Sequence, residues 1–166
     1  MPANNITRLL ESRHIAFTAF DLPVEKLGAI ETAQMLGVSL EQVFKTIVVT
    51  REKPAKTILA VVSGTQDVNL KKLASFLGEK KVHLPTQKEA EQLTHLQAGG
   101  ISPLALLGKG FVVVLDQSAA SFETIHISGG QRGLNIRMPV KDLVELTQAR
   151  LADISSPSAE VSLPGG

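Results

Sequence analysis

The stretch Val43-Phe44-Lys45-Thr46-Ile47-Val48-Val49 decides how the rest of the chain is read. Val, Ile, Thr and Phe favour a pleated, buried strand. Side chains alternate along a strand, so Val43, Lys45, Ile47 and Val49 share one face and Phe44, Thr46 and Val48 the other. A lysine inside such a run has two readings. It sits on a sheet edge and discourages pairing with other chains, or it looks into a cavity that takes an anionic group. The run alone leaves both open.

Working outward, residues 51–56 form a polar hairpin connection, and residues 57–62 a second buried strand antiparallel to the first. Upstream, Asn5 caps a helix reaching His14, residues 15–20 alternate as a strand, and residues 29–36 form a helix stopped by Gly37. Ser39 caps a short turn that leads into the anchor strand. Downstream, Asn69 caps a helix ending at Gly78, and Thr86 with Glu89 makes a capping box. Asp67 reads as part of a turn. Strands are expected at 82–84, 111–115, 124–128 and 134–138, and Pro139 opens a last helix. From Ser155 the composition predicts a mobile tail. The expectation is one domain over residues 1–154, a 155–166 tail, and a mixed α/β (α+β) fold. Helices would flank a largely antiparallel sheet.

The bulk properties narrow the function. The chain has 166 residues, 43% hydrophobic and 20% charged, with a net charge of +1. That is an ordinary globular composition without the basic excess of a general nucleic-acid binder, so no DNA partner is expected. Lys71, Lys72, Lys80 and Lys81 are the best basic patch, or simply a solvated helix face. There is no cysteine, which removes disulfides, a cysteine nucleophile and thiolate metal sites. No signal peptide and no membrane-length apolar run is visible, which suits a cytoplasmic protein without a membrane partner. Without Trp or Tyr, only Phe could stack on bases.

Two glycine-rich loops could carry chemistry. Gly99-Gly100 precedes Ile101-Ser102-Pro103, where Ser102 and Pro103 are an N-cap and first-turn pair; free N–H groups there suit an anion or a carbonyl oxygen. Ser128-Gly129-Gly130-Gln131-Arg132-Gly133 lies between two strands, and Arg132 could grip a phosphate. Each is equally readable as a tight turn. The four histidines are scattered with no zinc-ligand spacing, and no metal or other cofactor is expected. His126 shares a strand face with Thr124 and Ser128, as a general base or a structural residue. No serine–histidine–acid set is visible.

Taken in order, Val43-Phe44-Lys45-Thr46, Gly99-Gly100-Ile101-Ser102-Pro103 and the Ser128–Gly133 loop resemble the YbaK-like family, aminoacyl-tRNA editing domains related to the insertion domain of bacterial prolyl-tRNA synthetase. The resemblance covers about residues 4–154. It implies a compact, barrel-like mixed sheet flanked by helices. It also implies hydrolysis of mischarged aminoacyl-tRNA in trans, on Cys-tRNA(Pro) or Ala-tRNA(Pro), with prolyl-tRNA synthetase as a candidate partner. Lys45 and Gly100 would be the catalytic positions. Thr46, Gly99, Ile101, Ser102, Ser128, Gly129, Gly130 and Asn135 would bind substrate. The chain departs from the family pattern in having Asn135 where Asp is frequent, Phe44 in place of Tyr, and no tyrosine anywhere. Two alternatives stand beside this reading: a non-catalytic module binding tRNA or a synthetase, and a small-molecule ester hydrolase using the same cleft.

Overall fold

In the computed structural model, which describes residues 4–52 and 54–159, the anchor stretch is strand β2 (Phe44–Arg51). It pairs antiparallel with β3 (Ile58–Ser63), placing Lys45 opposite Val62 and Thr46 opposite Val61. Every residue of β3 is buried, because it is central in a sheet covered on both faces. That sheet runs β5-β2-β3-β6-β9, with β5 at Val82–His83, β6 at Val112–Asp116 and β9 at Arg150–Ala152. The β3–β6 and β6–β9 pairings are parallel. The other pairings between named strands are antiparallel, as the hairpin-like spacing predicts.

A second sheet has the order β1-β8-β7, from β1 (Thr18–Asp21), β7 (Thr124–Ser128) and β8 (Leu134–Pro139). Phe44, Val48, Leu59, Val61 and Leu115 of the first sheet share one core with Ile125, Ile127, Ile136 and Met138 of the second. Ile6 and Leu10 of α1 (Asn5–Ser12) and Leu143 of α5 (Val140–Thr147) complete it. On the other face Val49, Ile58, Ala60, Val62 and Val114 pack against Leu73 and Ala74 of α3 (Leu70–Leu77) and against Ile154. Each fully buried aliphatic side chain contributes about 1.5–3 kcal/mol. The two sheets meet at a parallel bridge between Val43 and His126. They do not close into a barrel, so the barrel-like expectation is corrected to separate sheets, these two linked and packed on one another and a third, two-stranded one described below.

Local signals behave as their chemistry dictates, with shifts of a residue or so. The α1 cap is Asn4 rather than Asn5: Asn4 Oδ1 accepts the Thr7 N–H at 3.0 Å, and Thr7 Oγ1 accepts the Asn4 N–H at 2.8 Å. α2 (Ala29–Leu36) ends on a left-handed Gly37, and α4 (Gln87–Thr94) has the Thr86–Glu89 capping box.

Two readings change. Asp67 belongs to a short strand, β4 (Gln66–Val68), and the start of the expected tail, β10 (Ser155–Pro157), pairs with it. The Ser-Ser-Pro composition hides two anchors. Ile154 is fully buried, and its N–H donates to Asp116 Oδ1 at 3.0 Å. Ser158 is buried as well. The remainder of the expected tail, residues 160–166, lies outside the described residues.

Candidate functional site

The Val43–His126 bridge lays the N-terminal end of β2 beside β7, whose C-terminal end runs into the second glycine loop. That loop is fastened to the first. Ser128 Oγ donates to the Gly99 carbonyl at 3.4 Å and accepts the Gly130 N–H at 3.2 Å. Arg132 Nε donates to the Ala98 carbonyl at 2.7 Å. The α1 cap pins the same loop from outside, since Asn4 Nδ2 donates to the Gly129 carbonyl at 2.9 Å.

A cavity of about 250 Å³ opens between these loops, the start of β2, and the segment joining β1 to α2. Lys45, Thr46, Gly99, Ile101, Ser128 and Asn135 line it, so six positions named from sequence come together. Four do not line it. Gly100 packs against the second loop: a Cβ there would lie 2.9 Å from Gln131 Cα and 3.1 Å from Arg132 N. Its N–H donates to the Gln97 carbonyl and is not free for a ligand. Ser102 is fully buried, with Oγ accepting the Leu104 N–H. The helix it opens is a four-residue 3-10 turn, too short for the anion site that the spacing suggests. Gly129 closes the β7–β8 hairpin through its N–H to the Leu134 carbonyl. Gly130, at φ +90°, sits against Ile6. The Gly99 N–H makes no hydrogen bond among the described residues, and Gly99 reaches the cavity with φ +91°, a conformation that favours glycine. Arg132, read as a phosphate grip, instead holds Ala98.

Lys45 is neither fully buried nor free. Its side chain is 29% exposed, and Nζ lies 3.1 Å from Asp67 Oδ1 on β4. Lys72, named for the basic patch, is held by Asp153 at 3.0 Å and by the Ser155 carbonyl at 2.8 Å. His126 is 1% exposed, with Nδ1 2.9 Å from Asn135 Oδ1 and Phe20 packed beside the ring. Burial pushes its imidazole below the ordinary value. The Asn135 bond opposes that shift, and the Arg137 guanidinium adds to it.

Sequence reasoning missed the opposite wall. Leu22, Glu25, Leu27, Gly28 and Thr32 close the cavity, and none of them is among the site positions named from sequence. No spacing marks Glu25. Its place follows from β1 pairing with β8, which carries the following segment over the second glycine loop. The Leu22 N–H donates to the Gly133 carbonyl at 2.9 Å.

The chain has relatives of similar sequence and fold. The family model described as an aminoacyl-tRNA editing domain matches residues 25–146, which takes in every cavity-lining residue but Leu22. A protein of Enterococcus faecalis, provisionally named EbsC, a Cys-tRNA(Pro)/Cys-tRNA(Cys) deacylase, is 30% identical over 92% of this chain and 93% of its own. Two solved structures superpose closely. A protein described as hypothetical has a TM-score of 0.83 at 25% identity, covering 92% of this chain and all of that one. A structure provisionally titled a trans-editing enzyme for prolyl tRNA synthetase gives 0.75 at 26% identity, covering 94% and 99%. With a matched region that takes in β2, both glycine loops and most of the chain, this protein belongs to the aminoacyl-tRNA editing domain family.

Proposed function

We propose that this chain hydrolyses the ester of mischarged aminoacyl-tRNA in trans, removing cysteine or alanine from tRNA(Pro). The observation that carries the reading is the meeting of Lys45, Gly99 and Ser128 at one small cavity in a chain of the editing family. The name of the Enterococcus relative supports cysteine. The size of the site supports a small amino acid: about 250 Å³ is below the 300–1,000 Å³ typical of sites for drug-sized ligands.

Among the described residues, no side chain at the cavity is paired with a base as an activated nucleophile. The Ser128 hydroxyl donates to a backbone carbonyl rather than to a base. The nucleophile is therefore the substrate's own thiol in a cysteinyl ester, or water in an alanyl ester. The thiol attacks the carbonyl and expels the ribose oxygen, which leaves with the proton; water then opens the cyclic thioester. With alanine, water adds directly and the same C–O bond breaks. The chain's part is orientation and charge stabilisation. The Gly99 N–H is the free donor for the developing oxyanion. Lys45 holds the ribose–phosphate end of the RNA. Glu25 is the one carboxylate on the wall among the described residues and suits the α-ammonium group.

A net charge of +1 leaves little general attraction for RNA, which favours prolyl-tRNA synthetase delivering or sharing the substrate. None of the helices among the described residues is long and apolar enough to cross a membrane, and the reading places the work in the cytoplasm. The test is release of free amino acid from tRNA(Pro) charged with cysteine, alanine or serine, with and without the synthetase. Release from the cysteinyl or alanyl ester is expected. Tight tRNA or synthetase binding with no hydrolysis would establish the non-catalytic module instead.

A further inference from the structure

His126 is a buried titratable group beside the cavity that the proposed chemistry leaves unused. It does not line the cavity, but its strand neighbour Ser128 and its hydrogen-bond partner Asn135 both do. Two atoms define its state. Nδ1 contacts Asn135 Oδ1 at 2.9 Å, and Nε2 is sealed from solvent without a partner. A proton on Nε2 would bury an unsatisfied donor, whichever way the Asn135 amide were turned. A proton on Nδ1 satisfies the contact and leaves only a bare acceptor buried, the more tolerable omission. The ring therefore donates from Nδ1, and the amide oxygen of Asn135 is turned toward it.

That fixes what Asn135 offers to a ligand. Its Nδ2 makes no hydrogen bond among the described residues and is not one of the sealed, unpartnered atoms, while the residue lines the cavity. Without His126, an asparagine could rotate and present either its oxygen or its NH₂. With His126, one orientation is held.

We propose that His126 is a positioning residue: its Nδ1–H locks the Asn135 amide so that the NH₂ faces the cleft and donates to an acceptor oxygen of the bound aminoacyl ester, the carbonyl or a ribose hydroxyl. The proposal rests on the deacylase reading above. It assigns position 135 to the ester oxygens and away from the α-ammonium group, which an NH₂ donor repels.

The closing experiment has two arms. In the first, ¹⁵N shifts of the His126 ring in the full-length labelled protein report the tautomer at about pH 7.5. A protonated Nδ1 and bare Nε2 are expected; an Nε2–H tautomer or an imidazolium overturns the proposal. The second arm uses two neutral variants of similar polarity. His126→Asn keeps a donor near the place of Nδ1, whereas His126→Gln puts its amide near Nε2. On Cys-tRNA(Pro), kcat/KM should stay within about threefold for H126N and fall roughly tenfold for H126Q. The gap between them should shrink below about twofold in an Asn135→Leu background. Equal rates for the two variants, or a gap unchanged by Asn135→Leu, would reduce His126 to packing. Wild-type protein that hydrolyses no aminoacyl-tRNA overturns the deacylase reading, and this proposal's substrate contact with it. A wrong tautomer overturns the proposal alone.

Discussion

Lys45 Nζ lies 3.1 Å from Asp67 Oδ1, joining β2, the strand of the anchor stretch, to the short strand β4, 22 residues further along the chain. Lys45 lines the cavity and Asp67 does not, so a neutralising partner outside the pocket shares the cation at its rim. The pair is partly exposed, with Asp67 at 55%, and such pairs contribute about 0–1 kcal/mol. Its effect falls on the availability of the charge more than on the fold.

Lys45→Ala should therefore abolish deacylation while leaving the protein folded. The expected loss of stability is under about 1 kcal/mol. Amino-acid release from Cys-tRNA(Pro) and thermal unfolding check this together. Full activity would mean that Lys45 is only an edge device.

Asp67→Asn removes the partner and keeps the shape. Lys45 then has its charge to give to the RNA end, and KM for aminoacyl-tRNA should fall roughly two- to fivefold, most clearly at low salt. A rise in KM, measured at two ionic strengths, would instead make Asp67 necessary for placing Lys45.

Gly100→Ala should lower both stability and turnover, through the loop rather than through direct contact with the ester. The added methyl would press on the Gln131 and Arg132 backbone at about 3 Å and drive the two glycine loops apart. Overpacking of this kind costs about 1–3 kcal/mol. Denaturant unfolding beside kinetics checks it, and unchanged stability would contradict the close approach.

His126 predicts a pH effect on stability. Its folded-state pKa is lowered, chiefly by burial, with Asn135 opposing and Arg137 assisting. The unfolded chain therefore binds the proton first. Stability is full above about pH 6.5 and declines as pH falls below that value, until the folded-state pKa is passed. Urea unfolding of the wild type and of H126N from about pH 8 to pH 5 should show the wild type losing ground toward acid. Parallel curves would remove His126 as the cause.

Ile154→Ala should cost about 2–5 kcal/mol despite lying next to a segment with the composition of a tail. Ile154 is fully buried against the α3 face of the sheet, and β10 follows directly. A change below about 0.5 kcal/mol in denaturant unfolding would show that residues 154–157 are dispensable.

Much of this was legible in order along the chain. The β-branched run around Lys45 forms a strand because its side chains favour the pleat. Asn69, Thr86 and Glu89 cap helices because their oxygens reach the first free N–H groups. Gly37 and Gly78 stop helices because they enter the left-handed region at low cost. These are short-range effects, written within a few residues. The three motifs in sequence also pointed to the family and to a site holding Lys45, Gly99 and Asn135.

What the tertiary structure decided depends on contacts between distant segments. Only folding brings Asp67 to Lys45, sets His126 against Asn135, and lays Glu25 over the second glycine loop. It also separates the two glycines of the first loop, turning Gly99 to the cavity and Gly100 to Gln131. The last residues pair as a strand for the same reason: serines and a proline carry no strand signal, and the buried Ile154 and the Asp116 carboxylate hold the backbone where β4 can meet it. Local composition encodes which elements form. The partner of each polar group is set by which surfaces the buried apolar faces force together.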